Sequence, residues 1–300
     1  MDKVITIPED LFPESDCAIP AGRTAIRLYD SMLPSLKTRV TIHKNLFSFL
    51  LEGEKVVHRP GNPIRIGAGQ FLLIAGGNCL MSEKLSLEGR YRSLLFFFED
   101  ELLREFFVKH AAIGVRVTGM QGVRVRNENS QIVSFDSDAF VGNYLRSLEL
   151  MLTETPVLKT ELQQLKLEEL LLYLAGNYPE ALASFSRMSP GTDGGDEQVR
   201  AAVEGNLDHQ ISVEELAFMC NMSLSTFKRR FGRLYGTTPN KWLLQRRMEK
   251  AAALLDGQEK PSEVYLKVGY ENHSSFSQSF KQVYGMTPRE YQQRRAGVTA

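Results

Sequence analysis

The stretch Phe227–Pro239, FKRRFGRLYGTTP, returns forty-nine residues later as Phe276–Pro288, FSQSFKQVYGMTP. Phe227, Phe231, Tyr235, Gly236, Thr238 and Pro239 recur as Phe276, Phe280, Tyr284, Gly285, Thr287 and Pro288, the pattern F-x3-F-x3-Y-G-x-T-P. Rings at i, i+4 and i+8 line one face of a helix, so each copy predicts a helix anchored by three aromatic side chains. The glycine after the last ring can take the left-handed conformation that closes a helix. Thr-Pro then restarts one, with Thr as N-cap and Pro in the first turn.

A shorter helix is expected upstream of each copy, over Val213–Met219 and over Ser262–Val268, with Asn221 and Gly269 in the turns that follow. Asn and Gly both tolerate a left-handed backbone. Helix, tight turn and second helix make a helix-turn-helix, whose second helix lies in the major groove of DNA. Small Ala217, four residues before Asn221, lets the two helices approach closely. The matching position before Gly269 holds Tyr265, a large ring that calls for local repacking. A plain bundle of two helical hairpins is the alternative, and it leaves the basic exposed faces unexplained.

Charge supports the same end of the chain. The 300 residues carry 36 basic and 36 acidic side chains, yet Ser223–Arg295 alone holds 14 Lys/Arg against 6 Asp/Glu. That segregation predicts an anion-binding surface. The acidic cluster Glu204, Asp208, Glu214 and Glu215 cannot lie on phosphates, and reads as a solvated face or a polymerase contact.

Ser189–Asp196, SPGTDGGD, is the plain linker and marks a domain boundary. The expected organisation is residues 1–188 (strands over about 24–98, helices over about 100–182), a linker at 189–196, and a DNA-binding domain at 197–300. Leu46–Leu51, Glu54–His58, Gln70–Ala75 and Arg92–Phe98 read as strands between Gly- and Pro-rich turns, the pattern of a small β-barrel or sandwich. From about Asp138 the period turns helical. Leu162, Leu165, Leu170, Leu172 and Leu174 share one long helix that Pro179 ends. Its wide apolar arc is read either as buried against its own barrel or as a subunit interface, with Leu167, Leu171 and Leu174 as dimerisation candidates. The fold class is therefore α+β, with an all-α C-terminal domain.

Other classes find little support. A hydrophobic fraction of 43% with 24% charged residues is that of a chain with real cores. Cys17, Cys79 and Cys220 form no CxxC pair, so neither a disulfide framework nor a zinc finger is expected. The N-terminus lacks the pattern of a signal peptide, and apolar runs fall far short of the roughly 20 residues of a membrane span. A soluble, cytoplasmic protein without membrane contact is expected. His43, His58 and His110 show no metal-ligand spacing, and GxSxG is missing, so no catalytic or metal residues and no cofactor are expected. Met81, Phe96, Phe97 and Phe98 line a cavity or belong to the core.

Residues 196–300 resemble the two-motif DNA-binding domain of AraC/XylS-type transcription regulators, on ISVEELAFMCNMSLSTFKRRFGRLYGTTPNKWLLQRRMEKAAALL and VGYENHSSFSQSFKQVYGMTPREYQQRR. The resemblance implies seven helices, with a long one over Pro239–Asp256 joining the motifs. The N-terminal part resembles the cupin-like sensing and dimerisation domain of many such regulators, with LKLEELLLYLAGNYPEAL nearest to activators of type III secretion. It implies a homodimeric activator that works with RNA polymerase on double-stranded DNA, under a small-molecule effector or a regulatory protein. No residue identifies the effector. A cupin-type enzyme with an appended helical domain is the alternative, and it lacks its metal triad.

With Phe227 and Phe231 inward, Ser225, Lys228 and Arg229 face outward on the first recognition helix, about 224–235. Arg pairs bidentately with guanine, while Lys reaches a base or a phosphate. On the second, about 274–284, His273, Ser274, Ser275 and Gln278 face outward. Gln can pair with adenine, and His273 either reads a base or caps the helix. Arg230, Arg233, Arg246, Arg247 and Lys281 are phosphate candidates, and the resemblance gives one arginine of the connecting helix a structural or phosphate role. Trp242 is read as core.

Overall fold

The computed structural model describes residues 4–12, 22–113, 131–154, 159–186, 195–207 and 210–296. They fall into two compact units, Met1–Gly205 with Phe218–Asn221, and Asn206–Ala217 with Met222–Ala300. The expected linker lies mostly outside the described residues. Its last two positions, Gly195 and Asp196, already open a helix.

The strands of the first unit are β1 (Ile5–Ile7), β2 (Thr24–Ser31), β3 (Ser35–Ile42), β4 (Asn45–Glu52), β5 (Glu54–His58), β6 (Ile64–Gly67), β7 (Gln70–Ile74), β8 (Gly77–Lys84), β9 (Tyr91–Phe98) and β10 (Ile132–Asp136). They form two five-stranded sheets, in the orders β1-β3-β8-β5-β6 and β10-β7-β4-β9-β2. Every pairing is antiparallel except that of β1 with β3. Gly53 carries the chain from β4 in one sheet to β5 in the other at φ 92°, and a Cβ there would stand 2.5 Å from the Lys84 carbonyl oxygen, so this tight turn requires glycine.

The central strands of the second sheet, β7, β4 and β9, are buried on both faces over most of their length. Leu46, Leu50, Leu72, Ile74, Leu95 and Phe97 meet Val40, Ile42, Val57, Cys79 and Met81 of the first sheet in one core. Their alternate neighbours Phe47, Phe49, Phe71, Leu73, Leu94, Phe96 and Phe98 pack against helices in another. This is why Leu94–Phe98 is an unbroken apolar run: every one of its side chains is buried, on one face or the other. Burying one such side chain contributes roughly 1.5–3 kcal/mol.

The helices over that outer face are α1 (Asp100–Lys109), α2 (Ala139–Glu154), α3 (Lys159–Asn177) and α4 (Pro179–Ser186). Here two expectations are corrected. Leu167, Leu171 and Leu174 are 2%, 1% and 0% exposed within the sheet–helix core, so they are not a free dimerisation face. The phenylalanine-lined sheet needs an apolar cover, and the inner arc of α3 supplies it. The outward leucines are Leu165, 61% exposed, and Leu172, 39%. Second, the span expected to be helical holds β10, which pairs with β7 from Ile132–Ile74 to Asp136–Gln70. Pro179 opens α4 as well as following α3, because proline suits a first helical turn.

After α5 (Gly195–Gly205), grouped with the first unit, come α6 (Val213–Met219), α7 (Leu224–Tyr235), α8 (Pro239–Asp256), α9 (Pro261–Lys267), α10 (His273–Tyr284) and α11 (Pro288–Ala296). Among the described residues no helix is long and apolar enough to cross a membrane.

Candidate nucleic-acid interface

The helices α7 and α10 are built alike. Ser223 caps α7 by accepting the Thr226 amide at 3.2 Å, and Asn272 caps α10 by accepting that of Ser275 at 2.9 Å. Gly236 and Gly285 end them in the left-handed conformation, at φ 65° and 74°. Phe227, Phe231, Phe276 and Phe280 are fully buried. Tyr235 and Tyr284 extend the stripe, with ring centroids 4.5 and 4.7 Å from Phe231 and Phe280.

The repeat reaches further than the sequence motif. Trp242 sets its ring edge against Phe231 at 5.8 Å, and Tyr291, forty-nine residues on, does the same to Phe280 at 5.4 Å. The Arg246 guanidinium lies 5.0 Å over Trp242, and that of Arg295 lies 5.7 Å over Tyr291. The Trp242–Tyr291 pair was not legible in the sequence because the two residue types differ, although the arginines four residues beyond each share both type and offset. Trp242, expected in the core, is half-buried between α7 and its own arginine.

The two turns are the same to within one residue. Asn221 (φ 52°) and Gly269 (φ 83°) hold the left-handed position. Met222 donates its amide to the Ala217 carbonyl at 3.0 Å, and Tyr270 donates to that of Tyr265 at 2.9 Å. These partners are forty-eight residues apart, while the caps Ser223 and Asn272 are forty-nine apart, so the second motif carries one extra residue between turn and helix. That residue accompanies the exchange of Ala217 for the ring of Tyr265.

The outward side chains follow from the buried stripe. Ser225, Lys228, Arg229 and Arg233 are exposed on α7, and Arg230 is half-buried. On α10, His273, Ser274, Ser275, Gln278 and Lys281 are exposed. His273 is not the cap, a role taken by Asn272. On α8, Arg246 also pairs with Glu249 at 3.0 Å, and the half-buried Arg247 lies 5.8 Å over the Tyr270 ring. Of the acidic cluster, Glu215 forms a capping box, its carboxylate accepting the Ser212 amide at 2.7 Å while its own amide donates to Ser212 Oγ at 3.1 Å. Glu290 does the same with Thr287, whose amide holds the Glu290 carboxyl below the usual carboxylate range. Glu204 and Glu214 are exposed, and Asp208 lies outside the described residues.

In the first unit the histidines stand apart. His43 meets Glu9 and His110 meets Glu168, while His58 is buried; no metal-holding cluster occurs among the described residues. Between the sheets lies a cavity of about 90 Å³ lined by Ile5, Tyr29, Lys55, Met81 and Glu83, among others. Lys55 is 2% exposed, donates from Nζ to Ser48 Oγ at 2.8 Å, and has its pKa pushed down by burial. Met81 lines this cavity, whereas Phe96, Phe97 and Phe98 are core.

Residues 45–185 match the family described as the ExsA N-terminal regulatory domain, and residues 216–294 match the family described as a helix-turn-helix domain. Over 275 residues the chain is 25% identical to the HTH-type transcriptional regulator ExsA of Pseudomonas aeruginosa, covering 91% of this chain and 94% of that protein. Over 130 residues it is 32% identical to the virulence regulon transcriptional activator VirF of Yersinia enterocolitica, 43% of this chain and 48% of that one. The solved structure of ToxT from Vibrio cholerae aligns with 90% of this chain and 98% of its own, at 12% identity and a TM-score of 0.39. With matches in both halves and a nearly full-length relative, the chain belongs to the AraC-type DNA-binding transcription regulators, with an N-terminal regulatory domain of the ExsA kind and a C-terminal helix-turn-helix domain.

Proposed function

We propose that the protein is a sequence-specific activator that inserts α7 and α10 into successive major grooves of double-stranded DNA. The observation that carries this is the pair of helices capped at equivalent positions, each with its phenylalanines buried and its polar face open. Lys228, Arg229 and Ser225 are the readers of the first motif; His273, Ser274, Ser275 and Gln278 are those of the second. Arg230, Arg233 and Lys281 suit phosphates. Arg246 and Arg247, held against aromatic rings, serve first to brace α8. The relative VirF is described as a transcriptional activator, which supports activation as the role of this chain; RNA polymerase would be its partner at the promoter.

A homodimer fits the outer face of α3, where Leu165 and Leu172 are exposed; the buried Leu167, Leu171 and Leu174 do not contribute. Control acts through the N-terminal, cupin-like domain, either by a small effector entering the Lys55 cavity or by a regulatory protein. Selection of duplexes from a random pool by the full-length chain tests the central reading: a bipartite site with two recognition segments one helical turn apart supports it, and unselective binding overturns it.

A further inference from the structure

The second motif has a ring where the first has Ala217. Tyr265 packs at the edge of the core built on Phe276 and Phe280, and its ring stands edge-on to the His273 imidazole, centroids 6.0 Å apart at 85°. The Phe276 ring flanks the imidazole at 6.2 Å, and Ser277 Oγ lies 3.3 Å from His273 Nδ1. Thus three neighbours hold one exposed imidazole at the first turn of α10. Asn272 has taken over the capping role that would otherwise occupy His273. The equivalent position on α7 is Leu224, an apolar side chain.

We infer that Tyr265 is a positioning residue for base recognition, fixing His273 so that Nε2 is presented to the groove as one of the readers of the second motif. This rests on the reading of α10 as a recognition helix. When the Ser277 hydroxyl donates to Nδ1, the ring proton sits on Nε2, a donor suited to the O6 and N7 acceptors of guanine. A side chain already locked in its rotamer loses less entropy on binding, so pre-orientation sharpens discrimination at one base pair instead of raising affinity for all DNA.

The test is competition binding by the full-length chain against single-base-pair variants of its selected site. His273→Ala marks the base pair read by the imidazole, and Arg229→Ala marks one read by α7. Tyr265→Ala and Tyr265→Leu should each cut discrimination at the His273-dependent base pair by about tenfold, a loss of about 1.4 kcal/mol. Discrimination at the Arg229-dependent base pair and affinity for random duplex should stay unchanged, and Tyr265→Phe should behave as wild type. Tyr265→Leu keeps the bulk of the site, so it reads the role of the ring even if Tyr265→Ala unfolds the motif. Retained discrimination in Tyr265→Leu, or equal weakening on every sequence, would overturn the positioning role. If His273→Ala changes no base preference while the wild type remains selective, the imidazole is not a reader. A wild-type chain without any sequence preference fails earlier, at the recognition-helix reading itself.

Discussion

Asn272 Oδ1 accepts the amide hydrogen of Ser275 at 2.9 Å, which places the cap of α10 one residue ahead of the side chain the sequence offered for it. Asn272→Ala leaves that amide without its partner. It should cost about 1 kcal/mol of stability, read in urea titration of the full-length chain, with Asn272→Asp close to neutral. An unchanged denaturation midpoint in Asn272→Ala would remove the cap from the account.

Arg229→Ala should weaken binding to the selected site by roughly 1–3 kcal/mol and relax preference at one base pair. Gln278→Ala should cost less, because a neutral amide makes weaker hydrogen bonds than a guanidinium. Paired binding isotherms decide the ranking, which reverses if Gln278→Ala proves the more damaging.

Affinity for any duplex should fall steeply with added salt, since the basic surplus of Ser223–Arg295 displaces phosphate-bound counterions. Arg233→Ala should flatten the plot of log affinity against log salt by about one unit without altering base preference. A salt-independent affinity would rule out the phosphate role.

Leu171→Glu should unfold the first unit, for a buried leucine is worth about 2–5 kcal/mol and an unpaired buried charge adds to the loss. Leu165→Glu combined with Leu172→Glu should leave a folded protein with weakened self-association, measured by light scattering beside thermal melts. A double variant that associates as the wild type does moves the interface off α3.

Burial lowers the Lys55 pKa, so between that folded value and the ordinary lysine value near 10.4 the unfolded chain binds more protons than the folded one. Stability therefore rises with pH across that window and is lost as pH falls through the folded value. Lys55→Met should abolish this component, and the stability of wild type relative to Lys55→Met should climb from neutral pH toward pH 10. A constant difference would mean that Lys55 titrates normally.

Much of the second unit was legible because its signals are local. A ring every fourth residue, a glycine and a Thr-Pro pair are fixed by one turn of chain, and each took the expected place. The equivalence of Trp242 and Tyr291 was not legible, since a ring stripe tolerates either side chain. The first unit was less legible. The leucines of α3 point in every direction in sequence, and only the phenylalanine-lined sheet determines which of them are inward. Ile132–Asp136 carries too few residues to announce a strand, and acquires its identity from Gln70–Ile74, far away in the chain.

The single-residue slip between the two turns sets a rule for grafting. From each cap onward the motifs run in one register, so a chimera that carries Leu224–Tyr235 in place of His273–Tyr284 keeps its caps, rings and closing glycine aligned. A graft cut ahead of the turn imports the shorter loop against the Tyr265 ring, and the incoming helix starts one residue early. Custom specificities assembled from this scaffold must therefore be spliced immediately after Asn272.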